Sequence, residues 1–439
     1  MNAHATDPAA FIEWFRAAAP YIHAFRGKTF VIAFGGDTLL RDDFVDLIHD
    51  VNLLNAIGVR LVLVHGVRPQ VEKRLQQRGI ESQFTKGLRV TDSDALACVF
   101  DAVGSVRIEI ETLLSLGLPN TPMAGAEIRV ASGNYVIAQP AGVVGGIDTQ
   151  FTGQVRKIND HAIRERVADG DIVLISPLGY SPTGEVFNLT LEEVATATAI
   201  AIQADKLIYL LDGGDTIDGK GERIDQLTAA EAQKITRSLP DGDMKLYLPH
   251  AARASKGGVP RVHLICANIE GALLMELFTH GGVGTMVTKE SVDSVRPATI
   301  DDVGGILQLI EPLEADGTLV RRSRERLEQE IEQFIVNEYD GRLVGCVALY
   351  PFADETSGEM ACLAVDPEYR DGGRGEALLD AALKQAKKDG LKQLFVLTTR
   401  TTHWFIERGF NLATPDDLPA ARKEMYNWQR RSKVLARAL

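Results

Sequence analysis

The stretch EMACLAVDPEYRDGGRGEALLDAAL, Glu359–Leu383, decides the fold of the C-terminal part of this chain. Met360–Val365 is apolar and predicts a strand, which an Asp-Pro pair ends because proline cannot donate to a strand ladder. Glu376–Asp389 has alanine and leucine at helical spacing and predicts a helix. Between them, Arg370–Gly375 holds three glycines and two arginines. Backbone N–H groups of such a loop converge on an anion at the helix N-terminus, so the stretch predicts a phosphate or pyrophosphate site.

The glycine loop is not a Walker loop, because no Gly-Lys-Ser/Thr sequence follows it. On composition alone, a plain strand-to-helix turn is the alternative. The spacing Arg370-x-x-Gly373-x-Gly375, however, resembles the pyrophosphate loop of the GCN5-related N-acetyltransferase (GNAT) family. A strand predicted at Leu394–Thr399 and an aromatic helix at His403–Phe410, which ends in Gly-Phe, resemble the elements that follow in that family. The resemblance implies acetyl-coenzyme A as the acyl donor.

The composition is that of a soluble globular protein, and 439 residues give room for two or three domains. The formal net charge of −13 argues against nucleic acid as the main partner. The four cysteines form no C-x-x-C pair, so we expect reduced thiols in the cytoplasm and no metal site. Neither a basic leader followed by an apolar core nor a run of 18 apolar residues is present, so we expect no signal peptide and no membrane association.

The N-terminal part alternates predicted strands and helices as far as residue 287. Thr29–Phe34 and Leu61–Val64 are buried strands, each followed closely by glycine. Strands separated by helices imply βαβ units, and therefore an open, mostly parallel sheet that binds ligands at the carboxyl ends of its strands. An amphipathic helix at Pro8–Ala19 precedes the first strand. It is either a core helix or an appendage that packs on another subunit.

Segments of this N-terminal part resemble the amino-acid kinase family, and most of all N-acetylglutamate kinases. The match covers roughly residues 20–287, and the segments that carry it are GKTFVIAFGG (27–36), LVLVHG (61–66), KGLRVTD (86–92), ADKLIYLLD (204–212) and VHLICANIEGALLMELFTHGGVGTMV (262–287).

The departures from the kinases concern the residues that handle phosphate. Ala33 stands where those kinases have a lysine, and Val67 and Arg68 stand where they have a run of glycines. A later kinase lysine aligns near Tyr247, with Lys245 close by. Phosphoryl transfer depends on positioning and charge neutralisation. We therefore expect a kinase-type domain without kinase activity; a bifunctional enzyme that retains it is the alternative.

The polar segment 288–296 is the predicted linker between residues 1–287 and 297–439. We therefore expect an α/β protein: an open, mostly parallel sheet of the amino-acid kinase type, followed by a smaller α/β acetyltransferase domain. Within the second domain, Val320–Phe334 predicts a charged helix, and Arg342–Leu349 and Glu359–Val365 predict the central strands, with a turn between them.

This domain order resembles the family of bacterial N-acetylglutamate synthases. The resemblance implies transfer of acetyl from acetyl-coenzyme A to the α-amine of L-glutamate, as the first step of arginine biosynthesis, with feedback inhibition by L-arginine. It also implies a homo-oligomer, a hexamer, assembled through the N-terminal helix. The alternatives are acetylation of another amine, such as a polyamine or a protein lysine, and a non-enzymatic amino-acid sensor, which the intact glycine loop argues against.

The reaction needs a base for the amine and donors for the developing oxyanion and the leaving sulfur. The resemblance assigns Glu359 as the base, directly or through a water; otherwise Glu359 is a solvated residue at a strand mouth. Thr398 is expected to serve the sulfur. Cys362 is more typical of a buried strand residue than of a nucleophile, because direct transfer needs no acyl-cysteine. The expected acetyl-coenzyme A contacts are Cys362, Leu363, Ala364, Val365, Arg370, Asp371, Gly372, Gly373, Arg374 and Gly375.

The two carboxylates of glutamate call for arginines, whose planar fork matches a carboxylate. The positions that match the family's glutamate contacts are Arg322, Cys362, Arg430 and Ser432, and Arg431 could replace Arg430. An arginine-lined site argues against a cationic substrate. For the inhibitor L-arginine, Glu276 is the expected partner of the guanidinium; alternatively it is a solvated helix residue. The matching positions are Tyr21, Lys206, His263, Glu276, Gly281, Gly284 and Met286.

Overall fold

The computed structural model describes residues 8–213, 223–279, 281–352, 356–427, 430 and 432–439. The chain divides into two compact units, residues 1–290 and 291–439. None of the helices in the described part of the chain combines the length and the apolar character that crossing a bilayer requires.

The first unit is built on a large, mostly parallel sheet. Its eight strands lie in the order β14-β16-β15-β13-β1-β2-β10-β5, and every neighbouring pair is parallel except β15 with β16. The sheet confirms the predicted fold class. The strands of this unit are β1 Thr29–Phe34, β2 Arg60–His65, β3 Phe84–Thr85, β4 Leu88–Arg89, β5 Val130–Ser132, β6 Val136–Pro140, β7 Val143–Val144, β8 Ile147–Asp148, β9 Gly153–Ile158, β10 Ile172–Ile175, β11 Leu178–Tyr180, β12 Val186–Asn188, β13 Lys206–Leu211, β14 Gln226–Thr228, β15 Arg261–Cys266 and β16 Thr285–Thr288.

Helices cover both faces of this sheet, which is why its central strands are almost continuously apolar and buried. A second sheet of four short strands, in the order β12-β11-β6-β9, was not predicted, because its strands of three to six residues give too little periodicity. The helices described in this unit are α1 Pro8–Phe25, α2 Phe44–Ala56, α3 Arg68–Gln77, α4 Ser93–Leu114, α5 Asp160–Ala168, α6 Leu191–Ala201, α7 Ala229–Ile235, α8 Asp243–Lys256 and α9 Ala272–Phe278.

Helix α1 is longer than predicted, because Pro20 does not end it. Its C-terminal half packs on the unit, where the Phe25 and Phe278 rings lie 5.5 Å apart. The apolar stripe of its N-terminal half does not: Phe11 and Phe15 are more than half exposed. The predicted stripe therefore exists, but within this chain only its C-terminal end is buried.

The second unit is built on one seven-stranded sheet in the order β17-β18-β19-β20-β21-β23-β22. Neighbouring strands are antiparallel except β20 with β21, which are parallel. The strands are β17 Asp293–Pro297, β18 Phe334–Tyr339, β19 Arg342–Phe352, β20 Ser357–Val365, β21 Gln393–Thr398, β22 Asn411–Ala413 and β23 Lys433–Ala438. The described helices are α10 Val303–Ala315, α11 Arg324–Glu330, α12 Arg374–Lys388, α13 Thr402–Glu407 and α14 Ala420–Glu424.

Two sequence predictions need correction in this unit. The single helix expected at 320–334 is only α11 and a short 3-10 turn, and Phe334 already begins β18. The charged residues around α11 obscured the apolar Phe334–Val336, which is buried in the strand next to the edge strand β17. The polar segment 293–296, expected in the linker, belongs to β17, because it pairs with β18 at the edge of the sheet, where few apolar side chains are required.

Candidate active site

The cavity of most interest opens where β20 and β21 separate. Their parallel pairing runs from Ser357 to Met360 and ends there, although β20 continues to Val365. A register shift against β19 accompanies this separation, and Cys362 has a φ of 55° at the irregularity. The backbone of residues 361–365 therefore has no partner in β21. We call the resulting cavity of about 560 Å³ the strand cleft; it is lined by Ala361, Cys362, Leu363, Ala364, Val365, Arg370, Gly373, Gly375 and Thr398, among others.

The glycine loop closes one end of the strand cleft. Asp366 caps the turn Pro367–Gly372 by accepting the N–H of Glu368, so Asp371 and Gly372 lie in that turn. Gly373 precedes the first residue of α12 and adopts a left-handed φ of 70°, a conformation that favours glycine. The N-terminus of a helix of 15 residues thus lies beside the cleft, where its N–H groups suit a phosphate.

The side chain of Arg374, a predicted acetyl-coenzyme A contact, does not line the strand cleft. Its guanidinium stacks over the rings of Tyr339 and Tyr369, at 4.8 and 5.3 Å from the ring centroids. It also forms an ion pair of 3.0 Å with Asp293. The side chain therefore ties the glycine loop to β17 and β18.

A second cavity of about 430 Å³ adjoins the strand cleft, and both are lined by Ala361, Cys362 and Leu397. Four arginine side chains line it, so we call it the arginine cavity. This concentration of positive charge suits an anionic ligand. Its polar and charged lining includes Arg322, Tyr350, Glu359, Arg422, Arg430 and Ser432.

Glu359 is buried at the wall of the arginine cavity, rather than solvated at a strand mouth. Both of its carboxylate oxygens accept hydrogen bonds from Arg422 of α14, at 2.6 Å from Nε and 3.0 Å from Nη2. Such a bidentate pair is strong. Glu359 can accept a proton freely only when this pair opens. The sequence analysis did not identify Arg422, because the segment Ala420–Glu424 contains no pattern that distinguishes a site arginine from a surface cation.

Arg322 and Arg430 both enter the arginine cavity with a buried Nε that bonds to none of the described residues. Burial and the charge of Arg322 lower the pKa of Arg430. A buried donor without a partner costs free energy, so both side chains are prepared for an acceptor. Ser432 also lines this cavity, as predicted, whereas Arg431 lies outside the described residues.

Thr398 lies at the end of β21 and lines the strand cleft. Its hydroxyl oxygen accepts the backbone N–H groups of Arg400, at 3.3 Å, and of Thr401, at 3.1 Å. A further hydrogen bond of 2.8 Å links it to the Thr401 hydroxyl. Because two N–H groups occupy the lone pairs of this oxygen, the Thr398 hydroxyl donates to the Thr401 oxygen, and its proton would have to turn from Thr401 to serve an acceptor in the cleft, such as a leaving sulfur.

Cys362 lines both cavities and is buried. Hydrogen bonding with Cys346, opposed by burial and reinforced by the charge of Arg322, lowers the pKa of the Cys362 thiol. No histidine is among the described residues that line either cavity, so this thiol has no imidazole partner there of the kind that activates a cysteine nucleophile. The position of Cys362 suits contact with a ligand in either cavity more than it suits nucleophilic attack.

The residues predicted to bind arginine form a buried network in the first unit. Lys206 Nζ lies 3.1 Å from His263 Nε2, and His263 Nδ1 lies 2.7 Å from Glu276 Oε1. The other Glu276 oxygen accepts the N–H groups of Val283 and Gly284, at 2.7 and 2.9 Å. Burial lowers the pKa of His263 to about 4, so a neutral ring donates from Nδ1 to Glu276 and accepts from Lys206. Glu276 is therefore not the solvated residue of the alternative prediction.

The remaining predicted arginine contacts lie around this network. Met286 pairs with His263 across β15 and β16. The Tyr21 ring lies 6.3 Å from that of Phe278, beside α9. The Gly281 carbonyl lies 3.5 Å from Nη2 of Arg223. The fold thus brings the predicted residues into one region, but one side chain and two backbone N–H groups already bond to the carboxylate that was expected to receive a guanidinium.

The kinase-type cavity in the first unit has no lysine at the two aligned positions, Ala33 and Tyr247, although Arg68 and Arg89 line it. Ala33 is buried in β1, and Tyr247 packs on another tyrosine ring at 5.1 Å. Lys245 pairs with a surface aspartate at 2.8 Å. The cavity beside the glycines measures about 130 Å³ and is partly occupied by Val67 and Arg68. Within the described ranges, no group of three or more histidines, cysteines or carboxylates is placed to hold a metal ion.

Comparison with known proteins agrees with this two-part architecture. Residues 28–266 match the amino acid kinase family, and residues 306–410 match the acetyltransferase (GNAT) family. The amino-acid acetyltransferase of Ralstonia nicotianae is 52% identical over 98% of this chain and 95% of its own length. Two structures of N-acetylglutamate synthase from Neisseria gonorrhoeae are 38% identical over 98% of this chain and 99% of theirs. The complex with coenzyme A and L-arginine has a TM-score of 0.88, and the complex with coenzyme A and N-acetyl-glutamate has 0.63.

These matches extend over nearly the whole chain and include both domains in the same order. The chain therefore belongs to the amino-acid acetyltransferase family, whose members are acyltransferases, and it joins an amino acid kinase-type fold to a GNAT fold.

Proposed function

We propose that this protein transfers the acetyl group of acetyl-coenzyme A to the α-amine of L-glutamate, giving N-acetylglutamate and coenzyme A. The observation that carries the proposal is the shared wall of the two cavities at Ala361 and Cys362. A thioester in the strand cleft and a dicarboxylate in the arginine cavity would meet there. The buried donors of Arg322 and Arg430 support an acidic substrate over a cationic amine.

The strand cleft fits a pantetheine arm because the backbone of residues 361–365, which has no partner in β21, can bond the amides of the arm, and the α12 N-terminus can receive the pyrophosphate. N–H groups of this backbone would also stabilise the developing oxyanion. The Thr398 hydroxyl would donate its proton to the leaving sulfur.

Glu359 would accept the proton of the ammonium group, directly or through a water. Its pair with Arg422 must open first. A carboxylate of the substrate that binds Arg422 would open it, so substrate binding and release of the base would be one event. With this coupling, Glu359 would accept a proton only after glutamate has bound.

The first unit, residues 1–290, is proposed to be regulatory, and the second unit, residues 291–439, is proposed to be catalytic. The loss of cations at Ala33 and the small kinase-type cavity favour this role over a second catalytic activity. In this proposal the enzyme is cytoplasmic and catalyses the first step of arginine biosynthesis, which L-arginine inhibits.

L-Arginine is proposed to bind at the network of Lys206, His263 and Glu276. Burial alone would raise the pKa of Glu276, but hydrogen bonds from His263 and two backbone N–H groups lower it to about 2, so the carboxylate is anionic at neutral pH. An incoming guanidinium would replace the hydrogen bond from His263. The arginine-bound structure of the Neisseria gonorrhoeae enzyme supports a site for this ligand in the family.

A homo-oligomer, a hexamer, is proposed to form through the exposed half of α1. Phe11, Trp14 and Phe15 are 47–55% exposed, and the Phe11 and Phe15 rings stack at 6.1 Å. An apolar helix face of this kind is typical of a subunit contact.

The proposed function is tested by measuring coenzyme A release from acetyl-coenzyme A with each amino acid, with and without L-arginine. We expect L-glutamate to have the highest kcat/KM, ahead of aspartate, glutamine and lysine, and arginine to lower the rate. A preference for lysine or for a polyamine would contradict the assignment of the arginine cavity.

A further inference from the structure

Tyr350 is a polar residue of the arginine cavity that the proposed reaction does not use. It lies on β19, directly across the ladder from Glu359. Its hydroxyl donates to Glu330 Oε2 of α11 at 2.7 Å. Burial and this carboxylate raise the pKa of Tyr350, so the hydroxyl keeps its proton at neutral pH.

The direction of this hydrogen bond determines whether the Tyr350 oxygen can donate or accept a further hydrogen bond. Because its proton goes to Glu330, the oxygen is left as an acceptor. The guanidinium of Arg322 lines the same cavity, and its positive charge interacts with this tyrosine and with Glu330. Glu330, Tyr350 and Arg322 thus form a chain from α11 through the central sheet into the cavity.

Arg322 is held from two further directions. Its Nη1 donates to the Val320 carbonyl at 3.1 Å, and its backbone N–H donates to Glu314 at 2.9 Å. Its Nε is left buried and without a partner among the described residues. A guanidinium fixed in this way loses little conformational entropy when a carboxylate binds, and this preorganisation increases affinity.

Helix α11 supplies an internal comparison for Glu330. Arg324 with Glu328, and Arg326 with Glu330, are both ion pairs four residues apart with Nε–Oε1 distances of 2.8 Å. Exposed pairs of this kind contribute little to stability. Glu330 differs because its second oxygen reaches Tyr350.

We propose that Glu330 and Tyr350 are positioning residues that orient Arg322, and thereby set the affinity for the acidic amino-acid substrate. The inference rests on the proposed function and adds two residues to it. Neither needs to contact the substrate or the reacting atoms.

The test compares Tyr350→Phe and Glu330→Ala with the matched control Glu328→Ala, by steady-state kinetics and thermal unfolding of the full chain. Loss of the polar interaction with the charged Arg322 predicts a rise of about 10- to 100-fold in KM for L-glutamate in Tyr350→Phe. We expect kcat and KM for acetyl-coenzyme A to stay within about twofold, because the strand cleft is untouched. Glu328→Ala should match the wild type, and Glu330→Gln, which keeps an acceptor, should recover part of the affinity.

A double-mutant cycle separates this role from general packing. If Tyr350 acts through Arg322, Tyr350→Phe should change KM for glutamate little further in an Arg322→Ala background. Equal effects of Glu328→Ala and Glu330→Ala, or a parallel rise in KM for acetyl-coenzyme A, would overturn the inference. If the wild type acetylates glutamate and the variants have the same KM as the wild type, only the role of Glu330 and Tyr350 is overturned. If the wild type does not acetylate glutamate, the proposed function is overturned as well. If Tyr350→Phe fails to fold, Glu330→Ala, on a partly exposed helix, carries the same test.

Discussion

Replacing Glu276 by glutamine probes the buried network of the first unit. The pKa of Glu276 is lowered from 4.5 to about 2 in the folded protein, mainly by His263 and by the N–H groups of Val283 and Gly284, against the opposing effect of burial. At about 1.36 kcal/mol per pKa unit, this difference corresponds to roughly 3 kcal/mol of folding free energy. Because the folded pKa lies below the unfolded one, the stabilisation is present above pH 4.5 and is lost as the pH falls towards 2.

Glu276→Gln should therefore lower the free energy of unfolding of the first unit by roughly 3 kcal/mol at pH 7, and the gap to the wild type should narrow as the pH falls below 4.5. Urea unfolding between pH 3 and 7, followed by circular dichroism, measures both values. The control is Glu270→Gln, which removes an exposed carboxylate nearby. We also expect Glu276→Gln to lose inhibition by L-arginine while its activity without arginine is retained. A loss of stability that is the same at pH 3 and pH 7 would refute the electrostatic reasoning, and unchanged inhibition would move arginine elsewhere.

Three further predictions concern catalysis and donor binding. Glu359→Gln should lower kcat by about 10²- to 10⁴-fold with little change in KM for acetyl-coenzyme A; activity within about twofold of the wild type would exclude Glu359 as the base. Gly375→Asp should abolish binding of acetyl-coenzyme A in calorimetric titrations, because a carboxylate would repel the pyrophosphate at the α12 N-terminus, while a folded variant with normal affinity would remove the loop from the site. With ATP and N-acetylglutamate, the purified chain should form no acyl phosphate, since Ala33 supplies no charge; hydroxamate formation above background would restore the bifunctional alternative.

The sequence predicted the parts of this fold that depend on strong local patterns. The glycine loop after β20 was recognisable from its glycines, and β1 and β2 were recognisable from their continuous apolar residues. Strand β18 was missed because it follows the charged α11 without a clear break, and its burial becomes apparent only once β17 and β19 lie beside it.

The candidate site was less predictable wherever a side chain has two possible partners. Arg374 and Arg370 have the same chemistry in the loop, but only the fold shows that Tyr339 and Tyr369 hold Arg374 away from the cleft. Arg422 reaches Glu359 across 63 positions of the sequence, which no local pattern can indicate. Cation-rich segments reveal charge, whereas the pairing of each charge is a property of the folded chain.

The pairing between β20 and β21 ends at Met360, so this sheet has an unpaired strand edge in its interior. A sheet edge usually lies at the periphery, where proteins protect it against unwanted association. Here the open edge faces a cleft, and a ligand with amide groups can act as the missing length of strand. The acyl donor would then be a structural component as well as a reactant. At a hundredfold excess over Kd, binding stabilises a fold by about 2.7 kcal/mol. The resistance of this domain to unfolding and proteolysis would therefore follow the supply of activated acetyl groups in the cell.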